Sequence, residues 1–366
     1  MRKLIFNLHL YGALIAGLFV VVIGVTGSIM AFEDDIDRLA NPALFHVQPQ
    51  GAALSVTDLF KAAQRAYPGQ RIGTIRLPFS ATDTASFTVK GPRQVFINPY
   101  TGAIAGDRSP FNTLFRIHQL HLRLLMSYTA SSGKIGADIV AVSTAVLLFL
   151  VISGVYLWWP VKRATVKWSA NLRRISFDLH NTTGIYSAAF LVVLGVSGIV
   201  VHFDDDLEEY LHKQAGTHKI LKNTPSVPQS GVAPISPDQS VQIALAAMPG
   251  TKVLALSLPA NPKASYLVAL HYPEDLTPGG RSWVNVDQFS GKVLSFQDSR
   301  AVALSTRAAK VFNRAVHTGD VYGYPTKILA SLSSVLLVIQ AITGYYMWWK
   351  KLRVRQDREE PVKTAA

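Results

Sequence analysis

Four stretches of the chain, residues 4–32, 139–161, 179–203 and 328–349, contain no Asp, Glu, Lys or Arg. Each is long enough to cross a hydrocarbon core about 30 Å thick as a helix rising about 1.5 Å per residue. The first follows Arg2 and Lys3, as a signal peptide would, but its length and the lack of a small-x-small cleavage site near Phe32 predict a retained helix. Between the first and second stretches the pattern changes. Residues 56–67 are apolar at helical spacing, residues 72–77, 86–90 and 95–98 alternate as strands do, and Thr101-Gly102 reads as a hairpin turn. Between the third and fourth stretches, residues 241–248 supply a helix and residues 253–258, 265–270, 283–286 and 292–296 supply strands.

The two halves match in order when residues 1–160 are laid over 172–350. Phe6-Asn7-Leu8-His9 aligns with Phe177-Asp178-Leu179-His180, Gly24-Val25-Thr26-Gly27 with Gly195-Val196-Ser197-Gly198, and Glu33-Asp34-Asp35 with Asp204-Asp205-Asp206. Further on, Pro68-Gly69 matches Pro249-Gly250, Asn98-Pro99-Tyr100-Thr101-Gly102 matches Asp287-Gln288-Phe289-Ser290-Gly291, and Gly154 with Trp158-Trp159 matches Gly344 with Trp348-Trp349. The expected architecture is a membrane α-helical bundle of four transmembrane helices, built by internal duplication, with two α+β extracytoplasmic domains. The expected boundaries are residues 1–33, 121–161, 179–203 and 317–350 for the helices and their lead-ins. Residues 34–120 and 204–316 form the external domains, 162–178 a basic loop and 351–366 a tail.

A hydrophobic fraction of 49% with 16% charged residues agrees with a membrane class. The net charge of +13 could suggest nucleic acid, but its placement points to topology instead. Lys162, Arg163, Lys167, Arg173 and Arg174 crowd the short link between the second and third stretches, and Lys350, Lys351, Arg353 and Arg355 follow the fourth. Acidic runs, Glu33 to Asp37 and Asp204 to Glu209, follow the first and third. Both termini are therefore expected in the cytoplasm, with the large segments outside and no nucleic-acid partner. The paired tryptophans fit the membrane–water interface. The absence of cysteine excludes disulfides and covalent haem attachment through Cys-x-x-Cys-His. No dinucleotide fingerprint, phosphate loop, His-Glu-x-x-His motif or nucleophile elbow occurs.

Histidine carries the candidate chemistry, because an imidazole in or beside hydrocarbon usually faces a bundle interior or a cofactor. His9 and His180 open the first and third helices; His121 and His317 precede the second and fourth. Related helices meeting about a pseudo-twofold axis can present two imidazoles to opposite faces of one iron, which is bis-histidine haem ligation. Interfacial histidines can also simply hydrogen-bond near headgroups, and the nearby glycines can simply pack helices. His118, one helical turn before His121, and His202, at the end of the third helix, are second-choice ligands or pocket residues. His46, His212, His218 and His271 are expected to be solvated. The acidic runs could gather ferric iron, cap a helix or enforce topology.

The motifs Leu8-His9, Leu179-His180, Gly-Val-Thr-Gly, Gly-Val-Ser-Gly, Leu120-His121, His317-Thr318-Gly319 and the Gly-x-x-x-Trp-Trp endings are similar to those of the PepSY-associated transmembrane helix family. This family includes inner-membrane reductases of ferric siderophores. Phe96-Ile97-Asn98-Pro99-Tyr100-Thr101-Gly102 resembles the end of a PepSY domain. The resemblance implies PepSY-like external domains and two non-covalent b-type haems held by His9 with His180 and His121 with His317. It also implies a bacterial inner-membrane location and a ferric siderophore as substrate, with electrons from quinol or a cytoplasmic reductase. A membrane cytochrome serving another acceptor, or a non-enzymatic peptidase-binding protein anchored by its helices, are the rival readings.

Overall fold

A computed structural model of the chain describes residues 1–89, 93–109, 111–126, 130–216, 220, 222–229 and 231–359. The first half runs α1 (Arg2–Met30), α2 (Glu33–Ala40), α3 (Pro42–Phe45), α4 (Val56–Ala66), β1 (Ile72–Arg76), β2 (Ala85–Val89), β3 (Arg93–Ile97), β4 (Ile104–Arg108), α5 (Thr113–Arg123) and α6 (Ala130–Trp158). The second runs α7 (Leu172–His202), α8 (Asp204–Ala215), α9 (Pro237–Ala247), β5 (Lys252–Ser257), β6 (Tyr266–His271), β7 (Ser282–Val286), β8 (Val293–Gln297) and α10 (Leu304–Thr306). A π-helical turn (Arg307–Phe312), α11 (Asn313–Thr318), a 3-10 turn (Asp320–Tyr322) and α12 (Tyr324–Glu359) complete it. The chain divides into two compact units, a helical bundle and a sheet unit.

In the bundle, α1, α6, α7 and α12 are long and apolar enough to span a membrane. They close a ring in which each helix touches two others, in the order α1, α6, α7, α12. Its central apolar cluster is small: Ala16, Val20, Leu191 and Leu337. The buried hydroxyls turn back onto their own helices, as hydrocarbon demands of a polar group: Thr26 Oγ1 donates to Val22 O at 2.7 Å and Ser197 Oγ to Val193 O at 2.7 Å. α7 starts at Leu172, inside the segment 162–178 expected as loop. Asn171 accepts the amide of Arg174 as its N-cap, and the fully buried Asp178 pairs with Arg174 (3.0 Å) and Arg163 (3.3 Å), tying the basic link to the helix.

The strands of the two expected domains meet in one sheet unit. The eight strands of the described residues form one antiparallel sheet in the order β4-β3-β2-β1-β5-β6-β7-β8. The two four-stranded halves join where β1 pairs with β5, Thr74 opposite Ser257. An unpaired β1 or β5 would be an exposed edge, and each covers the other. One apolar core runs beneath both halves. It includes Leu59, Phe87 and Ile97 from the first and Met248, Val268 and Val286 from the second. Asp238 of α9 accepts the Val56 amide at 2.8 Å and the Thr57 amide at 3.1 Å, so one half caps the helix of the other. Thr101-Gly102 lies in the β3–β4 turn, where Gly102 has φ +71° and Asn98 accepts the amides of Tyr100 and Thr101.

Two histidines expected to be solvated are buried in this unit. His271 sits edge-on to Phe79, and His212 lies beside Glu208 and Thr306, because α8 and α10 pack a polar cluster between them. His46 is exposed, and His218 lies outside the described residues. The acidic runs open α2 and α8 and make ion pairs: Asp37 with Arg108, Asp204 with Arg314, and Asp205 and Glu208 with Lys310.

Candidate functional site

The bundle brings together the histidines that occupy matching positions in the two halves of the sequence. At the end carrying Arg2 and the basic link, here the basic end, the rings of His9 and His180 stand 6.5 Å apart between centroids, with planes at 81°. At the opposite end His121 of α5 and His317 of α11 stand 6.3 Å apart, with planes at 44°. His9 and Gly27, which abuts His121, lie about 27 Å apart along α1 at about 1.5 Å per residue. The two pairs thus bracket the span of the bundle.

Local structure explains each placement. Every one of the four imidazoles turns Nδ1 toward a hydroxyl or carbonyl of a neighbouring helix. His9 Nδ1 lies 2.8 Å from Ser153 Oγ, and His180 Nδ1 lies 3.0 Å from Gln340 O and 3.1 Å from Thr343 Oγ1. His121 Nδ1 lies 2.9 Å from Ile23 O and 3.2 Å from Thr26 Oγ1, and His317 Nδ1 lies 3.1 Å from Ser197 Oγ. A carbonyl only accepts, and each of these hydroxyls already donates to its own helix. Nδ1 is therefore the protonated nitrogen, which assigns the lone pair to Nε2, the tautomer a metal-binding histidine adopts.

The glycines of the repeated motifs lie against these rings. A Cβ on Gly27 would stand 2.9 Å from His121 Cε1, and one on Gly198 would stand 3.0 Å from His317 Cε1. The equivalent distances are 3.4 Å from Gly154 to His9 and 3.5 Å from Gly344 to His180. His317-Thr318-Gly319 has a second role. Gly319, at φ +76°, turns the chain so that its carbonyl accepts from Thr326 Oγ1 at 2.6 Å and α12 can begin.

The second-choice histidines are elsewhere. His202 Nε2 is 3.2 Å from Asp138 Oδ1 and its ring packs on Phe203, whereas His118 shares α5 with His121 one turn earlier. The partners that sequence reasoning missed are Ser153, Thr343, Thr26 and Ser197. Thr26 and Ser197 were visible inside the matched Gly-Val-Thr-Gly and Gly-Val-Ser-Gly elements, and Ser153 and Thr343 each precede a matched glycine. At the basic end Trp158 Nε1 donates to Arg163 O at 2.7 Å, and Lys162 and Arg353 lie over Trp159 and Trp349.

No group of three or more His, Cys, Asp or Glu able to hold a metal occurs among the described residues. Two imidazoles instead suit a metal whose remaining ligands come from a macrocycle. His9 with His180 and His121 with His317, at 6.5 and 6.3 Å between ring centres, are the residues that would hold such a group.

Among the described residues, fold and site define a membrane protein with four helices apolar enough to span a bilayer, an antiparallel sheet and two close imidazole pairs. The chain belongs to the family described as the PepSY-associated TM region, whose model matches residues 6–351. No curated protein matches it.

Proposed function

We propose that this protein is a b-type haem reductase of the bacterial inner membrane that moves electrons outward to ferric iron held by a siderophore. The observation that carries the reading is the pair of histidine pairs, 6.5 Å and 6.3 Å between ring centres, one at each end of the bundle. His9 with His180 and His121 with His317 would be the axial ligands, oriented through Nδ1 as described. Haem held in this way supplies one-electron transfer. Bis-histidine ligation needs nothing further from the chain in the first coordination sphere, which agrees with a site built from pairs.

The substrate class rests on the resemblance of the motifs and on the chemistry of iron. Hard oxygen ligands hold ferric iron more tightly than ferrous, so a single electron loosens the metal from the siderophore. The basic end would face the cytoplasm with both termini, where a quinol or a cytoplasmic reductase supplies electrons, and the sheet unit would lie in the periplasm. Duplication of one helix–domain–helix unit accounts for the equivalent histidines, hydroxyls and glycines at both ends.

The test is reoxidation. Detergent-purified protein is reduced with dithionite, freed of excess reductant and mixed with a ferric hydroxamate while the absorption spectrum is followed. Rapid return to the oxidised spectrum with formation of ferrous iron is expected. Reoxidation by other acceptors but not by ferric hydroxamates would replace the reductase with a cytochrome serving a different partner, and colourless protein would remove the redox reading.

A further inference from the structure

We infer that Ser153, Thr343, Thr26 and Ser197 are positioning residues that fix the planes of the four imidazoles and make the two ends of the bundle electronically unequal. The inference rests on the haem reading above and deepens it. An axial imidazole keeps one rotational freedom, about the bond from Nε2 to the metal, and a hydrogen bond at Nδ1 removes it. Each ring has such a bond, at 2.8 Å to Ser153, 3.1 Å to Thr343, 3.2 Å to Thr26 and 3.1 Å to Ser197. The hydroxyls are themselves immobilised, because each donates to a carbonyl of its own helix at 2.6–2.7 Å. A glycine lies against each ring edge, where a Cβ would stand 2.9–3.5 Å from Cε1.

The same devices give different results at the two ends. The planes cross at 81° in the His9–His180 pair and at 44° in the His121–His317 pair. The repeat breaks beside the first pair. Gln340, whose carbonyl accepts from His180, also donates from its side chain to Ser187 Oγ at 3.2 Å, where the first copy has Leu150. Perpendicular imidazoles donate π density equally to two d orbitals of a ferric ion and keep them nearly degenerate. Less crossed planes split the two orbitals. The basic-end site is therefore the one with the strongly anisotropic low-spin ferric signal, and the opposite end has the more rhombic one.

Electron paramagnetic resonance of the oxidised, full-length protein in detergent tests this, with haem content measured on the same samples. The wild type should show both signals in equal amounts. Ser153→Ala should shift the strongly anisotropic signal alone, Ser197→Ala should shift the rhombic signal alone, and Ser153→Thr should restore the wild-type spectrum because the hydroxyl returns. All shifts should occur at unchanged haem content, which distinguishes positioning from loss of fold. Unmoved signals in both alanine variants, with two haems retained, would overturn this inference and leave the reductase standing. Absence of haem from the wild type would overturn both.

Discussion

The bundle and the sheet unit are held together in opposite ways. The sheet unit buries a continuous apolar core from Leu59 and Phe87 to Met248 and Val286, as a body stabilised in water must. Among the described residues the bundle's central apolar cluster is Ala16, Val20, Leu191 and Leu337, and its specific contacts include hydroxyls, carbonyls and imidazoles. In lipid, apolar burial between helices provides little drive, and small residues and polar contacts decide how helices meet. The difference bears on the proposed site: the sheet unit is packed around apolar side chains, and the bundle packs partly buried imidazoles against hydroxyls and carbonyls.

Four substitutions sharpen that contrast, in decreasing order of effect. Gly27→Val should remove the opposite-end site altogether, since even a Cβ there stands 2.9 Å from His121 Cε1. Haem content should halve while the basic-end spectrum persists. Phe87→Ala, in the sheet core at 2% exposure, should cost about 3–5 kcal/mol, read as faster amide exchange in β2 and β3 with the haem spectrum unchanged. Asp238→Ala strands the Val56 and Thr57 amides and weakens the seam between the halves by about 2 kcal/mol, seen as exchange at the start of α4.

Asp287→Asn has the smallest effect, about 1–2 kcal/mol, because Asn keeps the acceptor that serves Phe289 and Ser290, as Asn98 does at the matching turn, and loses the one that takes the Val227 amide. Burial pushes the Asp287 carboxyl up. The amides of Ser290 and Phe289 and the hydroxyls of Ser290 and Ser226 outweigh this and hold it at about 2, below its ordinary 3.8. A depressed folded value stabilises the sheet above pH 3.8, and the gain is lost as pH falls through about 2. Acid unfolding of the sheet unit should therefore be flatter across that window in Asp287→Asn than in the wild type.

Much of this architecture was legible because its signals are local or repeated. The apolar stretches give the four helices, and equal offsets relate His9 to His180 and Thr26 to Ser197. The joining of β1 to β5 was hidden, since an edge strand destined for a distant partner has the same alternation as any other. The hydroxyl partners were hidden for a related reason: Ser153 meets His9 across a helix interface, and no periodicity within either helix marks that meeting. His212 and His271 looked solvated because their segments are polar, yet a polar cluster and Phe79 enclose them.

Haem stoichiometry tests the central claim most directly. Pyridine haemochrome analysis of detergent-purified protein should give two b-type haems per chain for the wild type, one for His9→Ala, one for His317→Ala and none for the two combined. Wild-type protein without haem, or the same haem content in all four proteins, would contradict the assignment of these imidazoles as ligands.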